Sequence, residues 1–203
     1  VIFTSLFDDR YGGSGTFDTD GSPSTVGSAG DWSGLFFGEV SFGSIDHALI
    51  SFAGGDSPIE GASANFNAIE VHQADLRLAN SVLKNNAGGG PSGNRSGRGQ
   101  NANAVIYVRG SQPTIVDNTI VDNSGAAIHI NANSLNSESR TDHGRSTGVA
   151  ERYSEFDDNF GPLVRLNQLD NNSTNGMFVR GEVLTTEGIW DDTDIVHVLN
   201  STI

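Results

Sequence analysis

The chain carries 25 acidic against 11 basic residues over 203 positions, a formal charge of −14, with 26 glycines and no cysteine. Such a charge repels a phosphate backbone, which sets nucleic acid aside as a partner. The missing cysteines exclude disulfides and thiolate metal sites, and no stretch approaches the roughly 18 apolar residues of a membrane span.

Val1 to Phe7 predict a first strand. A glycine-rich stretch then leads to Asp18-Thr19-Asp20-Gly21, where Asp18 and Asp20 at alternate positions before a glycine offer two calcium ligands. A solvated turn built on Asp side chains explains the same residues. Leu35-Phe36-Phe37 and the run from Ser44 to Phe52 predict strands joined by a Gly/Ser turn, and Ala68 to His72 followed by Asp75 to Leu83 repeats that arrangement. Residues 87–102 are Gly, Ser, Asn and Arg with almost nothing apolar, which predicts an inserted, mobile loop. Alternation resumes at Ala104 to Arg109, passes Thr114-Ile115-Val116, and reaches Ile128-His129-Ile130. A second inserted loop is predicted over 131–160. The last strands lie between Leu163 and Val179 and from Ile195 to Leu199, preceded by Asp191, Asp192 and Asp194, which could hold calcium or cap a turn.

Segments recur at fixed phase. Asn80, Asn118 and Asn167 each open a six-residue stretch with Asn again at its end and an aliphatic residue at its third position. Recurrence of this kind marks a repeat architecture. The expectation is one all-β domain over residues 1–203, a right-handed parallel β-helix of about five coils with two inserted loops. Its N-terminal strand and acidic loop occupy 1–31, its first coils 32–86, its central coils 103–130 and its final coils 161–203. In this register Leu35, Ile69, Ile106, Ile128 and Met177 form one inward column and Phe37, Val71, Val108, Ile130 and Val179 a second. Each buried aliphatic side chain contributes about 1.5–3 kcal/mol, so stacked coils can offset a chain entropy that one coil could not. His47, Asn80, Asn118 and Asn167 are assigned to equivalent corners, with the three Asn forming a structural ladder of side-chain amides.

Alternation turns the intervening residues outward. One outward column reads Phe36, Glu70, Tyr107, His129, Phe178, and its neighbour reads Gly38, His72, Arg109, Asn131, Arg180. Aromatic rings stack on sugars while Arg, His and Asn bind hydroxyls or uronate carboxylates, so Glu70, His72, Tyr107, Arg109, His129, Phe178 and Arg180 are the candidate carbohydrate contacts. A glycoside hydrolase needs two carboxylates about 5–9.5 Å apart, and Glu70 has Phe36 and Tyr107 as its neighbours instead. A lyase would need a base such as Arg109 or His72 together with calcium. The plain alternative is the solvated exterior of a parallel sheet. No nucleophile elbow, phosphate loop or clustered histidines appear.

Several motifs resemble bacterial extracellular right-handed β-helix proteins of the pectate-lyase-like superfold. They are Val1 to Asp9, the Gly-Gly stretch with Asp18-Thr19-Asp20-Gly21, Asp31-Trp32-Ser33-Gly34-Leu35, Gly161 to Arg165, Asn175 to Gly181 and Trp190 to Ile195. Such proteins often read Asp-Thr-Asn-x-Asp-Gly in the first loop, and this chain is one acidic position short there. Catalytic Asp and Arg motifs of the enzymatic members are not recognisable. The resemblance implies a module of a larger secreted or surface protein and says nothing of activity. The leading expectation is a non-enzymatic structural or adhesive β-solenoid module of a surface or matrix protein, pairing end to end with neighbouring modules or copies of itself because neither end shows a capping helix, with calcium as the candidate cofactor. The alternative it leaves open is a calcium-assisted lyase or binding module for acidic polysaccharide.

Overall fold

A computed structural model describes residues 1–11, 21, 25–59, 61–91, 93–135, 153–156, 161–185, 190 and 193–203. The short apolar runs become strands of two to seven residues. In chain order they are β1 (Ile2–Phe3), β2 (Leu35–Phe37), β3 (Phe42–Asp46), β4 (Leu49–Ser51), β5 (Asp56–Ile59), β6 (Ala62–Asn65), β7 (Ile69–His72), β8 (Asp75–Ala79) and β9 (Val82–Lys84). They continue as β10 (Ile106–Arg109), β11 (Thr114–Val116), β12 (Thr119–Val121), β13 (Ala126–Asn131), β14 (Leu163–Arg165), β15 (Gln168–Asp170), β16 (Thr174–Arg180) and β17 (His197–Leu199). Among the described residues there is no α-helix.

Three sheets are wholly parallel. A six-stranded sheet runs β17-β16-β13-β10-β7-β2, a four-stranded sheet β14-β11-β8-β3, and a five-stranded sheet β1-β4-β9-β12-β15. The chain visits them cyclically: β2-β3-β4, β7-β8-β9, β10-β11-β12 and β13-β14-β15 each pass from the six- to the four- to the five-stranded sheet. This order is compatible with a solenoid. The hairpin β5–β6 is antiparallel and had no counterpart in the sequence reading, because Asp56 to Asn65 lacks apolar alternation. β1 is also shorter than expected. The chain turns after Phe3, with Asp8 N–H donating to Ser5 O and Ser5 Oγ donating to Asp31.

The inward columns fall in register as read from sequence. Leu35, Ile69, Ile106, Ile128 and Met177 pair in succession, as do Phe37, Val71, Val108, Ile130 and Val179. They join Ile50, Leu83 and Ile120 of the five-stranded sheet and Leu78, Ile115 and Val164 of the four-stranded sheet in one core.

Two corners of each round share one device. Between the four- and five-stranded sheets His47, Asn80, Asp117 and Leu166 adopt left-handed backbone, with φ of 51°, 50°, 56° and 58°. Between the five- and six-stranded sheets Phe52, Asn85, Asp122 and Asn171 do the same. The residue after each left-handed position is Ala in the first round, Ala48 and Ala53, and carries the polar stack in the later ones. At the second corner Asn86 Nδ2 donates to Asn123 Oδ1 at 3.0 Å and Asn123 Nδ2 donates to Asn172 Oδ1 at 2.8 Å, a three-rung ladder. At the first corner Asn118 Nδ2 donates to Asn167 Oδ1 at 3.0 Å, but the rung before it is Ser81, whose N–H donates to Asn118 Oδ1. Asn80 therefore stands one position outside the ladder, equivalent to Asp117 and not to Asn118. Its amide donates to Asp46 Oδ1.

Candidate functional site

The outward column of the six-stranded sheet also holds its expected register: Phe36, Glu70, Tyr107, His129 and Phe178 pair in succession, with Arg109 beside His72 and Arg180 beside Asn131. Phe36, His72, Tyr107, His129 and Phe178 form a column of rings with centroids 5.3 to 5.9 Å apart. The centre of this face is covered, while Phe36 at its edge is half exposed. Glu70 and Tyr107 are fully buried, His72 is 6% exposed, and His129, Phe178, Arg109 and Arg180 are half-buried.

The cover is the segment expected to be mobile. Residues 88–91 and 93–103 lie over the sheet as a strap, closed at its base by an antiparallel bridge between Gly89 and Asn103. Gly89 has φ 59°, and a Cβ there would meet Phe66 O at 2.6 Å, so the strap leaves the sheet at a point only glycine fits. With few apolar residues, the strap is bound by polar groups. Asn67 Nδ2 donates to Ala102 O at 2.8 Å and Ala104 O at 2.7 Å, and Asn101 Nδ2 donates to Asn67 Oδ1 at 2.8 Å. Arg95 makes a bidentate pair with the Glu70 carboxylate, donates to Asn65 O at 3.1 Å, and lies 4.5 Å from the Phe66 ring centroid. Its side chain is 8% exposed, so the guanidinium and carboxylate satisfy each other out of water.

His72 extends the cluster: its Nε2 is 2.6 Å from Glu70 Oε1 and its Nδ1 is 3.1 Å from Arg98 O, so both ring nitrogens face oxygens. Arg109 Nη1 donates to Gly97 O at 3.2 Å, and Arg180 reaches Gln100 Oε1 at 3.5 Å. Burial alone raises the Glu70 pKa, but hydrogen bonds from His72 and Arg95 together with their charges outweigh it and hold the carboxyl below its ordinary value. Burial, reinforced by the Arg180 charge, pushes the His129 pKa down to about 4 against an opposing backbone hydrogen bond with Asn103, so the ring is neutral at pH 7. Tyr107 Oη and His129 Nε2 are buried without a hydrogen-bond partner.

The chemistry of this cluster is that of a fastening. One carboxylate serves an Arg and a His, and no second acid stands beside it in the column. Arg95, Asn101 and Asn67 were not singled out from sequence. The available signal was an Arg and several Asn in a stretch too poor in apolar residues to be held otherwise.

Of the metal candidates, Asp194 alone falls within the described residues. Asp18, Asp20, Asp191 and Asp192 lie outside the described residues. Asp194 Oδ2 accepts the Leu166 N–H at 2.8 Å, the turn-capping use of that carboxylate. Among the described residues no three His, Asp or Glu side chains gather as a metal site would require. Compared with family models, curated proteins and solved structures, the chain matches none.

Proposed function

We propose that the chain is a right-handed parallel β-helix of the pectate-lyase-like superfold, acting as a non-enzymatic structural or adhesive module of a larger bacterial extracellular protein. Its ends join copies of itself or neighbouring modules into filaments. The observation that carries this reading is how the polar side chains are used: the face closest in character to a binding surface is spent on holding the strap, with Glu70 and Tyr107 fully buried.

The sheet edges support assembly. β1, β2 and β3 border the sheets on one side, and β15 and β17 on the other, with β14 bordered by a bridge between Val164 and Thr193. Unpaired parallel edges are templates for further strands. Apolar side chains are exposed beside both sets: Ile2 (48%) and Phe36 (50%) on one, Val196 (69%) and Leu199 (54%) on the other.

Scattering and electron microscopy at rising concentration, first with calcium and then with chelator, test the proposal. Assemblies that lengthen with concentration and shorten in Val196→Asp are expected, and a monodisperse monomer at high concentration would overturn it. Loss of assemblies in chelator would give calcium a structural role, whereas indifference would remove calcium from the reading. The rival reading, a calcium-assisted lyase or binding module for acidic polysaccharide, requires the six-stranded face to be open, and the strap bound at Glu70 weighs against it.

A further inference from the structure

Within the ladders each rung's carboxamide oxygen accepts two bonds from the rung before it. Asn123 Oδ1 takes the Asn86 N–H at 2.9 Å and Asn86 Nδ2 at 3.0 Å, and Asn167 Oδ1 takes the Asn118 N–H at 3.1 Å and Asn118 Nδ2 at 3.0 Å. Asn172, the last rung of the second corner, finds the same two bonds three residues further on. Its N–H donates to Asn175 Oδ1 at 3.2 Å and its Nδ2 donates to that oxygen at 2.8 Å. The register of β16 makes this possible. Thr174 pairs with Ala126 and Met177 with Ile128, so Asn175 and Gly176 together oppose Ala127, a β-bulge of the kind that re-aims a side chain. Asn175-Gly176 is also the one Asn-Gly pair in the sequence, and Asn is among the thermolabile residues. We propose that this pair is a site of spontaneous covalent modification, at which Asn175 is converted to aspartate and isoaspartate with water as the only co-reactant.

The chemistry balances within the chain. The Gly176 backbone nitrogen attacks Asn175 Cγ, and the new N–Cγ bond forms as the Cγ–Nδ2 bond breaks. The Gly176 N–H proton passes through water to the departing nitrogen, and ammonia leaves a cyclic imide. Water then opens the ring: cleavage of its N–Cγ bond gives aspartate, and cleavage at the main-chain carbonyl gives isoaspartate, whose backbone runs through Cβ and Cγ. Nothing is oxidised or reduced. During attack negative charge develops on Oδ1, the oxygen that already accepts the Asn172 N–H and Nδ2. Donors held where charge develops lower a barrier, so the contact that ends the ladder is also an oxyanion site.

The surroundings suit the reaction. Asn175 is exposed and borders a hollow of about 240 Å³ together with Leu169 and Val196, a route for water to enter and ammonia to leave. Gly176 presents no side chain to the attack, and a Cβ there would meet Val196 O at 3.0 Å and Val198 Cγ2 at 3.1 Å. The two products act differently on the ladder. Aspartate keeps an acceptor for both Asn172 donors, whereas isoaspartate lengthens β16 by one methylene at the bulge and withdraws that acceptor.

This inference does not depend on the assembly proposed above, since the reaction lies within one chain and is read by mass. The full chain is held at neutral pH and physiological temperature, folded and in urea, and the tryptic peptide from Leu166 to Arg180 is then mapped by mass spectrometry, with isoaspartyl methyltransferase labelling to separate the products. The expected result is replacement of one amide NH2 by OH at Asn175, with both products present and a folded rate no lower than the rate in urea, where the Asn172 donors are lost. Asn172→Asp keeps an acceptor for Asn123 Nδ2 and removes one donor to Asn175 Oδ1. It should slow the folded reaction roughly tenfold, less than a buried oxyanion donor is worth because Asn175 is exposed, and leave the rate in urea unchanged. The comparison of folded and urea rates is made on the parent chain and holds whether or not that variant folds. The inference is overturned if Asn175 reacts more slowly in the folded chain than in urea, if another Asn reacts first, or if folded Asn172→Asp reacts at the parent's rate.

Discussion

At their centre the two faces of the six-stranded sheet are both buried, and they are held by different means. Ile106 and Tyr107 are adjacent and both fully buried, yet Ile106 faces aliphatic neighbours above and below, whereas Tyr107 stands between Glu70 and His129 under the strap. On the inner face, stability comes from shape and apolar area. On the outer face it comes from paired charges and amides that exclude water without an apolar lid. Strand alternation determines which way a side chain points; whether it then meets solvent depends on what else the chain lays over it.

That contrast can be broken first on the outer face. Glu70→Ala leaves the Arg95 guanidinium buried without its partner, and a loss of about 4 kcal/mol is expected in denaturant unfolding. The paired change Glu70→Leu with Arg95→Met removes both charges and should recover most of that loss. If the double variant is no more stable than Glu70→Ala, the pair is not what fastens the strap. On the inner face, Ile106→Ala deletes aliphatic volume from the centre of a column and should cost about 3 kcal/mol, with no equivalent rescue by a second polar change.

The third effect is read by pH. His129 has its folded pKa lowered from 6.5 to about 4, so the unfolded chain takes up its proton first as the solution is acidified. Its contribution is complete well above pH 6.5 and is lost progressively as pH falls toward 4, a change of about 3 kcal/mol. Glu70, lowered from 4.5, adds to the loss only below that value. Replacement by Phe, which suits the ring column, should flatten the curve between pH 6.5 and 4.5 and leave the steeper acid limb. An unchanged slope in His129→Phe would place the acid sensitivity elsewhere.

The inner columns were legible because their residues alternate at a spacing that aligns only one way. From Ile106 to Ile128 the step is 22 residues, and the sheet pairs that very couple. The corner register was not. Asn80-Ser81-Val82-Leu83-Lys84-Asn85-Asn86 contains adjacent aliphatics and adjacent asparagines, so it aligns with Asn118 to Asn123 in two frames. Packing selects the frame with Leu83 inward, fully buried beside Ile120, and this shifts the ladder to Ser81 and Asn86. The strap was illegible for another reason. Hydrogen bonds and ion pairs bind it, and neither has a period in sequence, so a stretch poor in apolar residues reads as solvent-exposed whether it is covered or covers something else.

The corner between the four- and five-stranded sheets is two residues long in every round: His47-Ala48, Asn80-Ser81, Asp117-Asn118 and Leu166-Asn167 separate the strands on either side. All added length falls at the other corners, so successive equivalents lie 37 residues apart from Asn86 to Asn123 and 49 from Asn123 to Asn172, against 22 from Gln112 to Ser134. Closing a loop of 49 residues in place of 22 costs only about 0.7 kcal/mol, because the entropy grows with the logarithm of length. Lengthening is therefore nearly free where it occurs, while one extra residue in the invariant corner would put the strand that follows it out of phase with its neighbours in the five-stranded sheet. The chain is thus permissive to insertion at some corners and intolerant at another, and a graft of new sequence, natural or designed, belongs where the hairpin and the strap already are.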